Sequence, residues 1–182
     1  YIFSIGRFVH KKGFDILNEV SHNIPEIEFQ LGGGSKEQFL QSFSANSIEF
    51  NFLGKLTYIE SFKKYSKAKI TIVPSREEPF GIVIAEALCC GSPIVATNVG
   101  GIPEVIKLAK TSLTKNEKSI FNQWVKLVEP DYKSLILGIN EILKNSDSVE
   151  PFLQIVPKIQ KQFTWNNQLK KHYKSLTYLI SN

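Results

Sequence analysis

The stretch Lys69-Ile70-Thr71-Ile72-Val73-Pro74-Ser75-Arg76-Glu77-Glu78-Pro79-Phe80-Gly81-Ile82-Val83-Ile84-Ala85-Glu86-Ala87-Leu88-Cys89-Cys90-Gly91 decides how this chain folds. Its first five residues are a short β-branched run of the kind that forms a buried strand. Pro79 and Gly81 forbid one continuous helix across the junction, so the chain turns after Ser75 and a new helix starts near Gly81. A helix N-terminus therefore stands at the end of a buried strand. Its first N–H groups lack internal partners and carry about half a positive charge, which makes the spot a receptor for phosphate or for sugar hydroxyls. Glu78 and Glu86 bracket it, with Glu86 about 7 Å along the helix axis from Gly81. Carboxylates beside an anion site suit hydroxyl donors, and a ribose diol would supply them to Glu86 among its apolar neighbours Ile82, Val83, Ile84, Leu88 and Cys89. Taken alone, the two acids have a simpler account. Glu86 is satisfied by backbone or a lysine, and Glu78 is a solvated loop acid.

A second constellation shifts that balance. Gly6-Arg7-Phe8-Val9-His10-Lys11-Lys12-Gly13 follows another apolar run, Tyr1-Ile2-Phe3-Ser4-Ile5, and opens another helical pattern. Arg7 and Lys12 lie just past a strand end, where open parallel sheets place their ligands, and both are natural partners for a diphosphate. Two strand-end loops, one cationic and one with a helix N-terminus and acids, point to one site.

Working outward, short β-branched or aromatic runs alternate with amphipathic stretches, which predicts an α/β fold with a Rossmann-like doubly wound parallel sheet of about six strands. The strands are expected at Tyr1 to Ile5, Ile27 to Leu31, Ile48 to Leu53, Lys69 to Val73, Pro93 to Thr97 and Val125 to Val128. Helices are expected at Gly13 to Asn23, Lys36 to Ser44, Tyr58 to Lys67, Gly81 to Cys90, Pro103 to Leu108, Asp131 to Leu143, Glu150 to Gln160 and Trp165 to Leu179. The polar stretch Lys107 to Trp124 has no clear pattern. Gly32-Gly33-Gly34-Ser35 reads as a tight strand-to-helix turn, not as a Walker or G-x-G-x-x-G loop.

At 182 residues, 42% hydrophobic and 21% charged, the chain can bury a sizeable core as one domain over residues 1–182. No run of about 18 apolar residues and no N-terminal signal pattern is present, and a cytoplasmic location is expected. The adjacent Cys89-Cys90 read as reduced, buried thiols. The net charge of +5 and pI near 9.1 admit nucleic acid or an anionic membrane as partners. A nucleic-acid binder would use Lys158, Lys161, Lys170, Lys171 and Lys174 with Trp165 and Tyr173, but the spacing there is that of a packed surface helix, and no nucleic-acid partner is expected. The lack of methionine and a start inside a strand pattern suggest a piece excised from a longer protein.

Four segments together resemble a known family, the C-terminal nucleotide-sugar-binding domain of the GT-B fold retaining glycosyltransferases of family 4. They are Gly6-Arg7 with Lys12-Gly13; Phe52-Leu53-Gly54-Lys55; Pro74 to Gly81 with Glu86-Ala87 and Gly91; and Asn98-Val99-Gly100-Gly101-Ile102-Pro103-Glu104. They stand in the family's order and spacing, and Phe163-Thr164-Trp165 resembles its closing segment. The resemblance implies that Arg7 and Lys12 hold the donor diphosphate and offset charge on the leaving group. It implies that Glu78, with backbone N–H groups of Phe80, Gly81, Ile82 and Val83, positions the transferred sugar and distal phosphate, and that Glu86 accepts from the ribose. It implies no cofactor or divalent metal beyond the donor, a UDP-, GDP- or ADP-sugar, with base contacts from backbone near Gly54-Lys55-Leu56. It further implies a retaining hexosyltransferase whose own N-terminal domain, absent here, binds a glycan or lipid-linked acceptor in cell-surface polysaccharide, lipopolysaccharide or capsule biosynthesis. The full-length protein would then associate peripherally with the inner membrane face, and this fragment would be inactive alone. The alternative is a non-catalytic nucleotide or sugar-phosphate binding module. The chain departs from the family by inserting Lys110 to Trp124 where a short Gly-rich turn is usual.

Overall fold

A computed structural model describes residues 1–43, 50–145 and 148–164. Six parallel strands form one sheet: β1 (Ile2–Ile5), β2 (Phe29–Gly32), β3 (Phe50–Gly54), β4 (Ile70–Val73), β5 (Ile94–Thr97) and β6 (Val125–Val128). Their order across the sheet is β3-β2-β1-β4-β5-β6. The chain thus walks outward from β1 to β3, then returns to the other side of β1 and walks outward again. Right-handed crossovers place the helices that link β1 to β3 and those that link β4 to β6 on opposite faces, while the helix after β6 returns to pack against the helix after β1. The reversal between β1 and β4 opens a crevice at the strands' carboxyl ends, which is where such sheets take ligands.

The central strands are apolar because both faces are covered: all four residues of β4 and of β5 are buried. The buried hydroxyls among them are tied into the sheet. Ser4 Oγ donates to the Ile72 carbonyl at 2.8 Å, joining β1 to β4, and Thr71 Oγ1 and Ser92 Oγ bond at 2.7 Å. Phe8 stacks edge-on against Phe14, Phe39 and Phe52 beneath the crevice.

The helices are α1 (Phe14–Asn23), α2 (Lys36–Ser42), α3 (Tyr58–Lys67), α4 (Ile82–Cys89), α5 (Ile102–Ala109), α6 (Lys115–Trp124), α7 (Tyr132–Leu143) and α8 (Glu150–Gln162). Helix α1 packs against α7, while α4 touches α3, α5 and α8. Strand β2 is displaced from the expected Ile27–Leu31, starting two residues later and running into Gly32. Residues 48 and 49 of the expected third strand, and the expected helix Trp165 to Leu179, fall outside the described residues.

The stretch without a clear sequence pattern is structured. After α5 comes a 3-10 turn, Lys110–Ser112, and then α6 leads directly into β6. Thr114 caps α6 with a capping box, accepting from the Glu117 N–H while the Glu117 carboxylate accepts from the Thr114 N–H at 2.9 Å. Phe121 and Trp124 of α6 are buried, with the Phe121 ring 6.2 Å from that of Phe152 in α8. The stretch therefore adds a helix whose buried face packs into the core.

Candidate functional site

The loop after β1 runs through Gly6 and Arg7 into a 3-10 turn, His10–Lys12, and Gly13 at φ 67° starts α1. A side chain at Gly13 would overlap the carbonyl of Pro74, so the backbones of the β1 and β4 loops touch there. Further ties hold the two loops together. The N–H groups of Arg76 and Glu77 both donate to the Lys11 carbonyl, at 2.8 and 3.0 Å. The Arg76 guanidinium grips Asp15 with two bonds, 2.7 and 2.6 Å, and also donates to the His10 carbonyl at 3.0 Å. Burial raises the Asp15 carboxyl, but the hydrogen bonds and charge of Arg76 outweigh that and leave it below its ordinary value.

Within this stitched pair of loops, Lys12 Nζ lies 2.5 Å from Glu78 Oε2. Glu78 is 8% exposed, so it is not a solvated loop acid. Its other oxygen, Oε1, accepts from the Gly81 N–H at 3.3 Å, at the start of α4. Lys12 and Glu78 line a small cleft with Ser4, Gly6, Phe14, Ser75 and Val83, directly over the carboxyl ends of β1 and β4. Arg7 is exposed, one residue past Gly6 of the cleft lining, and has no ion-pair partner among the described residues. Phe80 and Ile82 are 76% and 63% exposed, so their side chains face outward.

The Glu78 loop is held from behind by residues to which sequence reasoning gave no role. Gly101 N–H donates to the Glu78 carbonyl at 2.7 Å, and a side chain at Gly100 (φ 53°) would overlap that same carbonyl. Thr97, at the end of β5, donates to the Ser75 carbonyl at 2.5 Å. The signal was the Gly100-Gly101 pair itself, two residues without a side chain at a strand-to-helix junction.

Glu86 is half-buried on α4 and its partner is neither backbone nor lysine: the Tyr65 hydroxyl of α3 donates to Oε2 at 3.0 Å. Burial pushes the Glu86 carboxyl up, and the Tyr65 bond pulls it part of the way back. Glu86 faces a second, open cleft of about 420 Å³ with Ile5, Leu56, Thr57, Tyr58 and Ser61. Gly54, at φ 69°, ends β3 two residues before Leu56 of that cleft. Of the site residues expected from sequence, Lys12, Glu78, Gly81 and Val83 come together at the crevice, Glu86 lies one cleft further on, and the exposed Arg7 follows Gly6 of the crevice lining without a hydrogen bond or ion pair to the others. Cys89 and Cys90 carry free thiols, and burial with Cys89 and Glu86 nearby pushes the Cys90 thiol up to about 11, which suits an unreactive pair. No helix among the described residues is long and apolar enough to cross a membrane.

An open six-stranded parallel sheet of this order, with a cation, a buried acid and a helix N-terminus at its switch point, is a Rossmann-like domain, here the C-terminal half of a GT-B fold. The pattern of the family Glycosyl transferases group 1 matches residues 1–155, and the chain belongs to that family. It is 30% identical over 181 residues to the uncharacterized glycosyltransferase MJ1178 of Methanocaldococcus jannaschii, covering 95% of this chain and 47% of that one. It is 27% identical to a component of the phosphatidylinositol N-acetylglucosaminyltransferase of Homo sapiens, covering 91% of this chain and 34% of that one. Among solved structures it resembles sucrose-phosphate synthase from Thermosynechococcus elongatus, with TM-score 0.71 and 26% identity over 98% of this chain and 46% of that one. The starch synthase IV catalytic domain of Arabidopsis thaliana bound to ADP and acarbose shares the fold, with TM-score 0.67 at 18% identity over 100% of this chain and 38% of that one. The chain thus spans about half the length of these relatives or less.

Proposed function

We propose that this chain is the donor-binding part of a retaining hexosyltransferase that takes a UDP-, GDP- or ADP-sugar. The observation that carries the reading is the juxtaposition at the sheet's switch point of Lys12, the buried Glu78 and the N-terminus of α4. Lys12 and Arg7 offer positive charge where a diphosphate leaving group develops negative charge, and the first N–H groups of α4 add to it. Glu78, fixed from two sides by Lys12 and the Gly81 N–H, presents acceptors to the hydroxyls of the transferred sugar. Transfer proceeds with retention by front-face attack, with Glu78 orienting the sugar and forming no covalent bond to it. Glu86 accepts from the ribose in the neighbouring cleft. No divalent metal is required, because side chains and a helix end meet the phosphate charge.

The acceptor, a glycan or lipid-linked sugar of a cell-surface polysaccharide, is held by an N-terminal domain beyond this chain. One relative's name supports a lipid acceptor, since it specifies phosphatidylinositol. The whole enzyme works at the cytoplasmic side of the membrane as a peripheral protein. The test is to titrate UDP, GDP and ADP in chelator while following thermal unfolding, where ligand at about 100 times its Kd adds roughly 2.7 kcal/mol. A shift with one diphosphate, unchanged by chelator and abolished by Lys12→Ala, is the expected result. No shift with any of the three overturns the reading.

A further inference from the structure

The Tyr65–Glu86 pair lies outside the diphosphate crevice, and nothing in the chemistry there requires it. Tyr65 is fully buried, its ring edge-on to Phe3 at 5.2 Å, so a phenylalanine would fill the same space. Yet its hydroxyl is spent on a side-chain carboxylate at the wall of an open cleft rather than on a backbone carbonyl. A glutamate has three rotatable bonds, and a half-buried carboxylate among apolar neighbours loses rotamer freedom and hydration together. Something must hold it out, and ionised, for it to be ready as an acceptor.

We propose that Tyr65 is a positioning residue for the donor ribose, its hydroxyl holding one oxygen of Glu86 so that the other is presented to the ribose diol in the cleft with Leu56, Thr57 and Tyr58. This rests on the reading of Glu86 as the ribose acceptor. The electrostatics agree with the geometry. Burial is the main influence on Glu86 and raises it, while the Tyr65 bond is what lowers it. Burial and the Glu86 charge push the Tyr65 phenol far up, so it remains a donor at any physiological pH. The other groups coupled to Glu86 are the Cys89 and Cys90 thiols of its own helix, both pushed up and neutral. No titratable group on α5, α8, β4 or β5 acts on it among the described residues.

The experiment compares binding of UDP, GDP and ADP with their 2′,3′-dideoxy forms across pH in the wild type, Tyr65→Phe and Glu86→Gln. The ratio of the two affinities cancels the titration of the phosphates. Wild type should prefer the ribose form by about ten-fold or more. Tyr65→Phe should lose most of that preference with dideoxy affinity unchanged, and the pH below which the remainder fades should move up. A 3-fluorotyrosine at position 65, which packs alike and donates more strongly, should move it down, and it supplies the answer if Tyr65→Phe does not fold. Ribose preference and pH profile unchanged in both substituted proteins would overturn the proposal. If Glu86→Gln also leaves the wild-type preference intact, the error lies in the assignment of Glu86; if Glu86→Gln abolishes it while both Tyr65 forms keep it, only the positioning role fails.

Discussion

Gly100→Ala tests whether the Glu78 loop is held from behind by bare backbone. Gly100 has φ 53°, so alanine there costs about 1–2 kcal/mol from the left-handed conformation alone. Its Cβ would also overlap the Glu78 carbonyl, and restoring an ordinary separation of about 3.5 Å needs a shift on the order of 1 Å. The same carbonyl accepts from Gly101, so the loop cannot swing away without breaking that 2.7 Å bond. Gly54→Ala is the matched control: φ is 69° and nothing lies within 4 Å of the added carbon, so it carries the strain without the clash. In a protein of this size about 1 kcal/mol is roughly 2–4 °C, so Gly54→Ala should lower Tm by up to about 8 °C. Gly100→Ala should lower it further. A misplacement near 1 Å costs on the order of 100-fold in rate, so Gly100→Ala should lose that much kcat/KM in sugar transfer by the intact enzyme. If Gly100→Ala melts no lower than Gly54→Ala and transfers sugar at the wild-type rate, the loop is not buttressed in this way.

Three further outcomes follow from the same geometry. Lys12→Met strands the buried Glu78 carboxylate and should cost about 2–3 kcal/mol in denaturant unfolding, reduced from the fully buried case because the Lys12 side chain is 23% exposed. Adding Glu78→Gln should recover part of that loss, and strictly additive losses would show that the pair is not coupled. Arg76→Lys replaces a bidentate grip by a point charge on groups about a third exposed and should cost about 1 kcal/mol at neutral pH. Because Asp15 lies below its ordinary 3.8, this contribution is present above that value and is lost as pH falls through the lowered one, so the two melting curves should converge in acid. Glu86 has the opposite sign. Its carboxyl is raised above 4.5, so its burden on the fold appears as pH rises through that raised value, and Glu86→Gln should melt higher than wild type at neutral pH with the gain vanishing in acid.

The strands were legible because a parallel sheet covered on both faces leaves uninterrupted apolar runs such as Ile70-Thr71-Ile72-Val73, and glycine and proline mark where each run ends. Helix α6 was missed because its interior is polar, although Thr114-Lys115-Asn116-Glu117 is a capping box that period counting alone does not score. The positions of Lys12 and Glu78 followed from local turn chemistry, but their ion pair joins residues 66 apart. Tyr65 was not legible at all. Within α3 it reads as an ordinary core aromatic, and only the packing of α3 beside α4 reveals that its hydroxyl serves Glu86.

The Lys12–Glu78 pair bears on how an anion enters the crevice. A bare lysine would make arrival a matter of long-range attraction, strongly weakened by salt. Here Lys12 already has an acidic neighbour in the resting protein, so the diphosphate proposed as ligand would share or compete for an occupied partner. Affinity should then depend less on ionic strength than the count of nearby positive side chains suggests, and a lone phosphate, with fewer contacts to offer in exchange, should compete poorly.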